Sequence, residues 1–222
     1  TVQDAELLSV PAEELLRRYT FTIPMRRVAH DTELGGFPLR QGDWLALYLP
    51  GADLSGTDQA GKHLRSRDLT GASFARADLT RTDLYESVLA DADLRGATLV
   101  DAHLGNVDLR GACLQHADLT RAKLVNADLR GADLTGADLT GATLLLVASG
   151  SIKGVPTALP GAWRLVDGYL VGEGANLTGA DLREADLRGA SLRRAQLRDG
   201  DLTGADLRDA DLREANLRRA QL

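Results

Sequence analysis

The chain has 222 residues, a formal net charge of −6, 4% aromatic residues and a single cysteine. The lone Cys113 excludes an intramolecular disulfide and points to a reducing compartment, so the expected location is cytoplasmic. The longest notable apolar run, Leu144–Val147, is far too short to span a membrane, and the low aromatic content suits a thin core of Leu and Ala.

Residues 1–51 contain no repeat. Asp4 to Tyr19 reads as a helix, with apolar Leu7, Leu8, Leu15 and Leu16 and a Pro11 that starts its second part. Arg26 to Leu34 and Asp43 to Leu49 read as short strands around a Gly35-Gly36 turn, giving a small α+β segment. The segment holds seven acids and five bases, leaving 25 acids and 21 bases in 52–222. A net of −4 is mild for so long a stretch.

From Ala52 to Leu146 the chain divides into 19 pentapeptides with Leu at the centre of 17; Gln59 and Phe74 fill the other two. The residue two before each Leu is usually Ala, and the one before it usually Asp or Asn. Period five fits neither common secondary structure. On an α-helix each Leu would fall roughly 140° from the last, and on a flat strand alternate leucines would face opposite sides. All can point inward only if the chain itself turns once per repeat. Gly two after Leu, as at Gly96, Gly111 and Gly131, suits such corners. Residues 52–71 are degenerate, because Lys62 and Arg67 occupy the inward Ala slot and Gln59 a Leu slot. Burying these groups unpaired is prohibitive, which predicts an open or irregular first coil and regular packing from Ala72.

Residues 147–174 break the register, with Pro156, Pro160 and several glycines marking a loop. Trp163-Arg164-Leu165 and Gly168–Gly172 read as two imperfect repeats, since Leu165 and Leu170 keep the spacing. Trp163 and Tyr169 either pack onto the outside of the repeats or anchor a partner. The five-residue register restarts at Ala175 and runs through 175–222, with Leu at 177, 182 and every fifth residue to 222.

Ala-Asp-Leu-Thr-Gly and Ala-Asp-Leu-Arg-Gly, repeated over 52–146 and 175–222, resemble the pentapeptide repeat proteins. The resemblance implies an all-β, right-handed quadrilateral β-helix in which four pentapeptides make one coil, nearly five coils in the first block and about two and a half in the second. Separately, Glu14-Leu15-Leu16-Arg17 and the run Arg27–Gly36 followed by Gln41-Gly42-Asp43 resemble part of a cytochrome P450 over residues 10–50. No haem-ligand loop follows, so that resemblance implies no haem site and leaves 1–51 as a cap or a fusion relic.

Residues 20 apart stack if four repeats make a coil. His63, Asp83, His103 and Lys123 then form a column, but parallel side chains splay rather than converge on a metal, so no metal is expected. Cys113 and His116 lack the cleft and third group that a nucleophilic pair needs. Arg188 stacks on Arg208, Arg193 on Arg213 and Arg198 on Arg218, beside Asp186, Asp206, Asp201 and Asp211. Near-equal counts of acids and arginines favour surface ion pairs over a phosphate-binding stripe. The candidate partner-contact residues are therefore Trp163, Tyr169, Arg188, Arg208, Arg193 and Arg213.

With no phosphate loop, metal cluster or acid–base pair in a concavity, the chain reads as a non-catalytic scaffold without a cofactor that binds another macromolecule, expected to be a protein. The second reading comes from the family resemblance: a DNA-mimicking binder of DNA gyrase that protects against quinolones or peptide poisons. It requires a continuous negative face, which the frequent Asp-Leu-Arg order dilutes. An uncapped final coil predicts a homodimer through the C-terminal coils.

Overall fold

The computed structural model describes residues 26–27, 32–34, 37–39, 44–45 and 50–222. The chain divides into two units, residues 1–48 and 49–222. In the first, β1 (Arg26–Arg27) pairs antiparallel with β4 (Trp44–Leu45), and β2 (Thr32–Leu34) with β3 (Phe37–Leu39). The expected turn, Gly35-Gly36, lies between β2 and β3 and outside the described residues. The strand after it, β3, was not anticipated because Pro38 weakens the strand signal. The expected helix from Asp4 to Tyr19 lies outside the described residues.

The second unit is a β-helix. Parallel bridges join residues 20 apart from Asp53–Ser73 onward, so four pentapeptides close one coil. The reason lies in the backbone accounting of each repeat. In the repeat centred on Leu94, the Asp93 N–H donates back to Ala72 O at 2.9 Å, and the Leu94 and Gly96 N–H groups donate forward to Cys113 O and Gln115 O, both at 2.8 Å. The Ala97 N–H closes the corner onto Leu94 O at 3.1 Å. One donor remains, the Arg95 N–H, and Asp93 Oδ1 accepts it at 3.1 Å. The Asp before each Leu is thus an Asx-turn acceptor for a backbone amide with no other partner, and not simply a solvated charge.

The corner residue two after Leu has positive φ throughout, whether Gly (Gly96, 62°) or not (Arg76, 59°; Asp91, 57°; His116, 56°). Glycine is needed where a longer corner side chain leans over it from the preceding coil. A Cβ on Gly111 would collide with the Asp91 carboxylate, and one on Gly136 with the His116 imidazole. Gly61 shares the conformation but has open space around it. Gly136→Ala should therefore cost about 1–3 kcal/mol of unfolding free energy in urea. Gly61→Ala should cost only the backbone part, about 1 kcal/mol.

Inside, leucines stack in files with alanines between them, and most from Leu64 to Leu197 are at most 2% exposed. Each buried Leu contributes about 1.5–3 kcal/mol of transfer free energy. The first coil departs from expectation. It is regular, bridging Asp53–Ser73, Asp58–Asp78, His63–Asp83 and Asp68–Val88. Lys62 is only half-buried, and its Nζ donates to Asp58 O at 3.1 Å. Gln59 is fully buried but donates to Thr57 Oγ1 at 2.8 Å. The slots above Lys62 and Arg67 hold Thr82 and Ser87 in place of Ala, whose hydroxyls donate to Gln59 O and Leu64 O. Lys62 and Gln59 are satisfied locally, so the coil need not open at either.

The interruption is also ordered. Bridges Asp128–Ala148, Asp133–Lys153 and Asp138–Ala158 keep the 20-residue step, and Ala148 next bridges Asn176, 28 residues on. One coil therefore carries eight extra residues. They form an antiparallel hairpin, β5 (Arg164–Val166) with β6 (Tyr169–Val171), in place of the two imperfect repeats expected. Leu165 and Leu170 sit directly opposite each other rather than one repeat apart. Asp167 and Gly168 form the turn with φ of 46° and 78°, positive at both central residues as a two-residue hairpin of this type requires. Leu170 and Val171 fill the core, while Ser149 Oγ accepts from the Leu170 N–H at 2.9 Å.

Candidate functional site

Four outer sides follow from the coil. We number them by their central residues: side 1 from Leu54 through Phe74 to Leu134, then Leu182 and Leu202; side 2 from Gln59 to Leu139, then Leu187 and Leu207; side 3 from Leu64 to Leu144, then Leu192 and Leu212; side 4 from Leu69 to Leu129, then Leu177, Leu197 and Leu217.

Most arginines that follow a Leu turn back onto the Asp before it. Arg110 Nε and Nη2 reach the two oxygens of Asp108 at 2.8 and 2.6 Å, and Arg95 grips Asp93 identically. Some reach one coil further, as Arg110 does to Asp128 at 3.9 Å. The candidate arginines follow the same pattern. Arg188 binds Asp186 at 2.6 Å, Arg213 binds Asp211 at 2.6 Å, Arg208 binds Asp206, and Arg193 reaches Glu214 at 3.2 Å. The Arg213 guanidinium and its backbone N–H hold the Asp211 carboxyl down to about 2, and the same contacts from Arg188 push Asp186 further below the carboxylate range. These carboxylates stay ionised throughout physiological pH, so the pattern of charge is fixed.

The pairing is uneven around the tower. On side 2 of the first block, Asp58, Asp78, Asp118 and Asp138 are followed by Ala60, Thr80, Thr120 and Thr140 rather than by Arg. None has an ion-pair partner among the described residues; each instead accepts the backbone N–H two residues on, at 2.8–2.9 Å. The Asp-Leu-Arg order expected to dilute the charge is therefore absent from side 2 in the first block, although Asp186-Leu187-Arg188 and Asp206-Leu207-Arg208 restore it in the second. The signal was present in the sequence, in every fourth repeat.

Side 3 carries the His63, Asp83, His103, Lys123 column. Its members pair locally: His63 Nδ1 lies 3.9 Å from Asp83 and Lys123 Nζ 2.9 Å from His103 Nε2. Among the described residues no group of three or more His, Cys, Asp or Glu side chains is placed to hold a metal. Beside this column, the Arg65 guanidinium lies 4.6 Å from the Tyr85 ring centre, and Asn106 donates to the Tyr85 hydroxyl at 2.6 Å. His116 leans over Gly136, and Cys113 is half-buried on side 1.

Trp163 and Tyr169 are half-buried and pack against the core of the C-terminal coils. The Trp163 ring lies where a Cβ on Gly172 would be, and the Tyr169 ring lies 3.0 Å from the Cβ position of Gly150. The Tyr169 hydroxyl accepts from the Asp181 N–H at 3.1 Å, and Arg164 Nη2 donates to Arg188 O at 3.0 Å. Both aromatic rings are thus engaged within the chain. Trp163 lines one open depression with Pro160, Glu173 and Ser191, and Asp167, Asp181, Arg183, Glu184 and Thr203 line another. Among the described residues, no helix is long and apolar enough to cross a membrane.

The geometry defines a repeat tower whose chemistry is displayed on flat outer sides. A family model for pentapeptide repeats matches residues 48–85, 87–124, 112–144, 173–209 and 190–222, and the chain belongs to the pentapeptide repeat family, whose fold is a right-handed β-helix. It is similar to HetL of the cyanobacterium Nostoc sp. strain PCC 7120, a pentapeptide repeat protein involved in heterocyst differentiation regulation. The two are 35% identical over 76% of this chain and 69% of HetL, with a TM-score of 0.46. A pentapeptide repeat protein of the Arabidopsis thaliana thylakoid lumen is 30% identical over 46% of this chain and 68% of its own, with a TM-score of 0.29. The plasmid-mediated fluoroquinolone resistance protein QnrB1 is 17% identical over 75% of this chain and 79% of its own, with a TM-score of 0.46. No curated protein matches. The comparisons give no support to the cytochrome P450 resemblance of residues 10–50.

Proposed function

We propose that this protein is a non-catalytic scaffold that binds another macromolecule, a protein partner, through its outer sides. The observation that carries this reading is the use made of the polar groups. Asp side chains cap backbone amides, arginines grip those same carboxylates, and the remaining charge is spread along flat sides rather than gathered in a cleft. Trp163, Tyr169, Arg188, Arg208, Arg193 and Arg213 remain the proposed contact set, with the arginines exchanging their internal carboxylates for those of a partner. Homodimerisation through the C-terminal coils is part of the same reading. Leu207, Leu212 and Leu217 of those coils are partly buried and pack against the core of leucines and alanines. A cytoplasmic location is proposed from the single cysteine.

One observation favours the second reading, binding to DNA gyrase: the column Asp58, Asp78, Asp118, Asp138 on side 2, whose carboxylates make no ion-pair contact among the described residues, although Arg121 in the same repeat attracts Asp118. Magnitude argues against it. Successive coils are about 4.8 Å apart, and Thr98 leaves a gap, whereas duplex DNA presents a charge about every 1.7 Å of axis. The column is roughly three times too sparse to imitate both strands. A gyrase supercoiling assay with and without a quinolone decides between the readings. The scaffold reading expects no effect at micromolar protein. Inhibition or protection that disappears in Asp118→Asn/Asp138→Asn would replace it with the gyrase reading.

A further inference from the structure

The C-terminal block, residues 175–222, is neutral, with nine acids and nine arginines, but its charge is not evenly placed. Sides 1 and 2 carry six acids, Asp181, Glu184, Asp186, Asp201, Asp206 and Asp209, against Arg183, Arg188 and Arg208. Sides 3 and 4 carry six arginines, Arg193, Arg194, Arg198, Arg213, Arg218 and Arg219, against Asp199, Asp211 and Glu214. The proportions are mirror images, so sides 1 and 2 together, the acidic edge, have a net charge of −3 and sides 3 and 4 together, the basic edge, +3, with Asp209 at the corner between sides 2 and 3 and Asp199 and Arg219 at the corner between sides 4 and 1. Internal pairing leaves some groups on each edge uncommitted. Glu184 and Asp209 have no ion-pair partner among the described residues, and neither has Arg218.

We propose that copies of this chain associate side to side, the acidic edge of one C-terminal block lying against the basic edge of the next. A second copy fits this surface better than a foreign polyanion does. A polyanion would find only three net positive charges, with Asp199, Asp211 and Glu214 among them. A second copy offers a net charge equal and opposite to that of the edge it meets. It also offers the same pitch: Arg198 and Arg218 are one coil apart, and so are Asp186–Asp206 and Asp181–Asp201, so the columns of two parallel towers match rung for rung. The overall charge of −6 is small enough for this local attraction to act at low ionic strength. Because unlike edges meet, the contact is heterologous and leaves a free edge at each end, which gives open rows rather than a closed dimer. The inference does not depend on the identity of any other partner.

Light scattering on the full chain tests it. At about 10 mM salt, where the screening length is ~30 Å, the weight-average mass should rise with concentration beyond that of a dimer of the 23.7 kDa chain, and at about 0.5 M it should fall back to a dimer or less. Arg198→Glu/Arg218→Glu makes sides 3 and 4 net acidic and should lose the salt-sensitive growth beyond a dimer, as should Glu184→Arg/Asp209→Arg, which makes sides 1 and 2 net basic. Melting curves matching the wild type establish that both variants are folded. Mixed at equal concentration, the two variants should associate again. A wild-type mass that does not grow beyond a dimer at low salt overturns the proposal. So does association that either charge reversal leaves intact, or that strengthens with salt, which marks end-to-end apolar contact through Leu207, Leu212 and Leu217.

Discussion

Ala122→Lys should abolish recovery of the folded chain, while Lys62→Ala should change stability by no more than about 1 kcal/mol. Both positions lie two before a central Leu and point to the interior, so the contrast tests place in the tower rather than residue type. Ala122 is fully buried between complete coils. Its methyl is the space left by facing leucines, and a lysine there would carry an ammonium into a region without acceptors. The effective penalty for burying an unpaired ion is several kcal/mol, and overpacking adds about 1–3 more, a large part of the ~5–15 kcal/mol that holds a domain together. Repeats in such an array are stable only through their neighbours, so one failed coil separates those on either side. Lys62 escapes because it lies in the first coil, half-buried, with its ammonium on Asp58 O at 3.1 Å and Thr82 above it. The check is soluble yield and urea unfolding of both variants. A folded Ala122→Lys protein of near-normal stability would show that the interior is wetter than the packing implies.

Gly172→Ala should destabilise the chain by about 1–3 kcal/mol and move Trp163 into water, and much of that loss should vanish when Trp163 is also replaced by Ala. The indole occupies the place of a Cβ on Gly172, so the added methyl and the ring cannot coexist. With the ring gone the methyl has space, and the double-mutant cycle should show coupling of about 1–3 kcal/mol. Urea unfolding supplies the energies. In a Trp44→Phe background, where Trp163 is the remaining tryptophan, emission should shift to the red in Gly172→Ala. The outcome bears on function. A Trp163→Ala variant that is unaltered in stability would free the ring to anchor a partner. A large loss would assign it to holding β5 and β6 on the coil.

Much of this architecture is legible in the sequence because one constraint repeats. Leu every fifth residue, with Ala two before it, forces a turn per repeat, and the bridges between residues 20 apart follow. Glycine at the corners is equally readable, although Arg76, Glu86 and Asp91 adopt the same positive φ. Readings failed where a residue had two uses. Asp before Leu carries a charge and also accepts a backbone amide, as Asp93 does from Arg95, and the repeat pattern gives no sign of the second use. Lys62 and Gln59 looked prohibitive because their partners, a carbonyl and a threonine hydroxyl, cannot be seen in a repeat pattern. In the interruption, the five-residue spacing of Leu165 and Leu170 hid a stronger local signal, Val166-Asp167-Gly168-Tyr169, whose Asp-Gly pair between apolar residues marks a two-residue hairpin. The uneven charge was visible in principle, but only after the residues were sorted by side, which requires the coil length. Binding residues were the least legible, since on a tower without a cleft every outward position is a candidate.

The account rests on residues 20 apart being direct neighbours, and the native Cys113 provides a probe. Pyrene attached to Cys113 and to an introduced Asp133→Cys, which faces it across one coil, should give strong excimer emission. The pair Cys113 and Asp128→Cys, closer in sequence but on a different side, should give monomer emission alone. Excimer from the 15-residue pair, or none from the 20-residue pair, would contradict the four-sided coil and every assignment of charge to its sides.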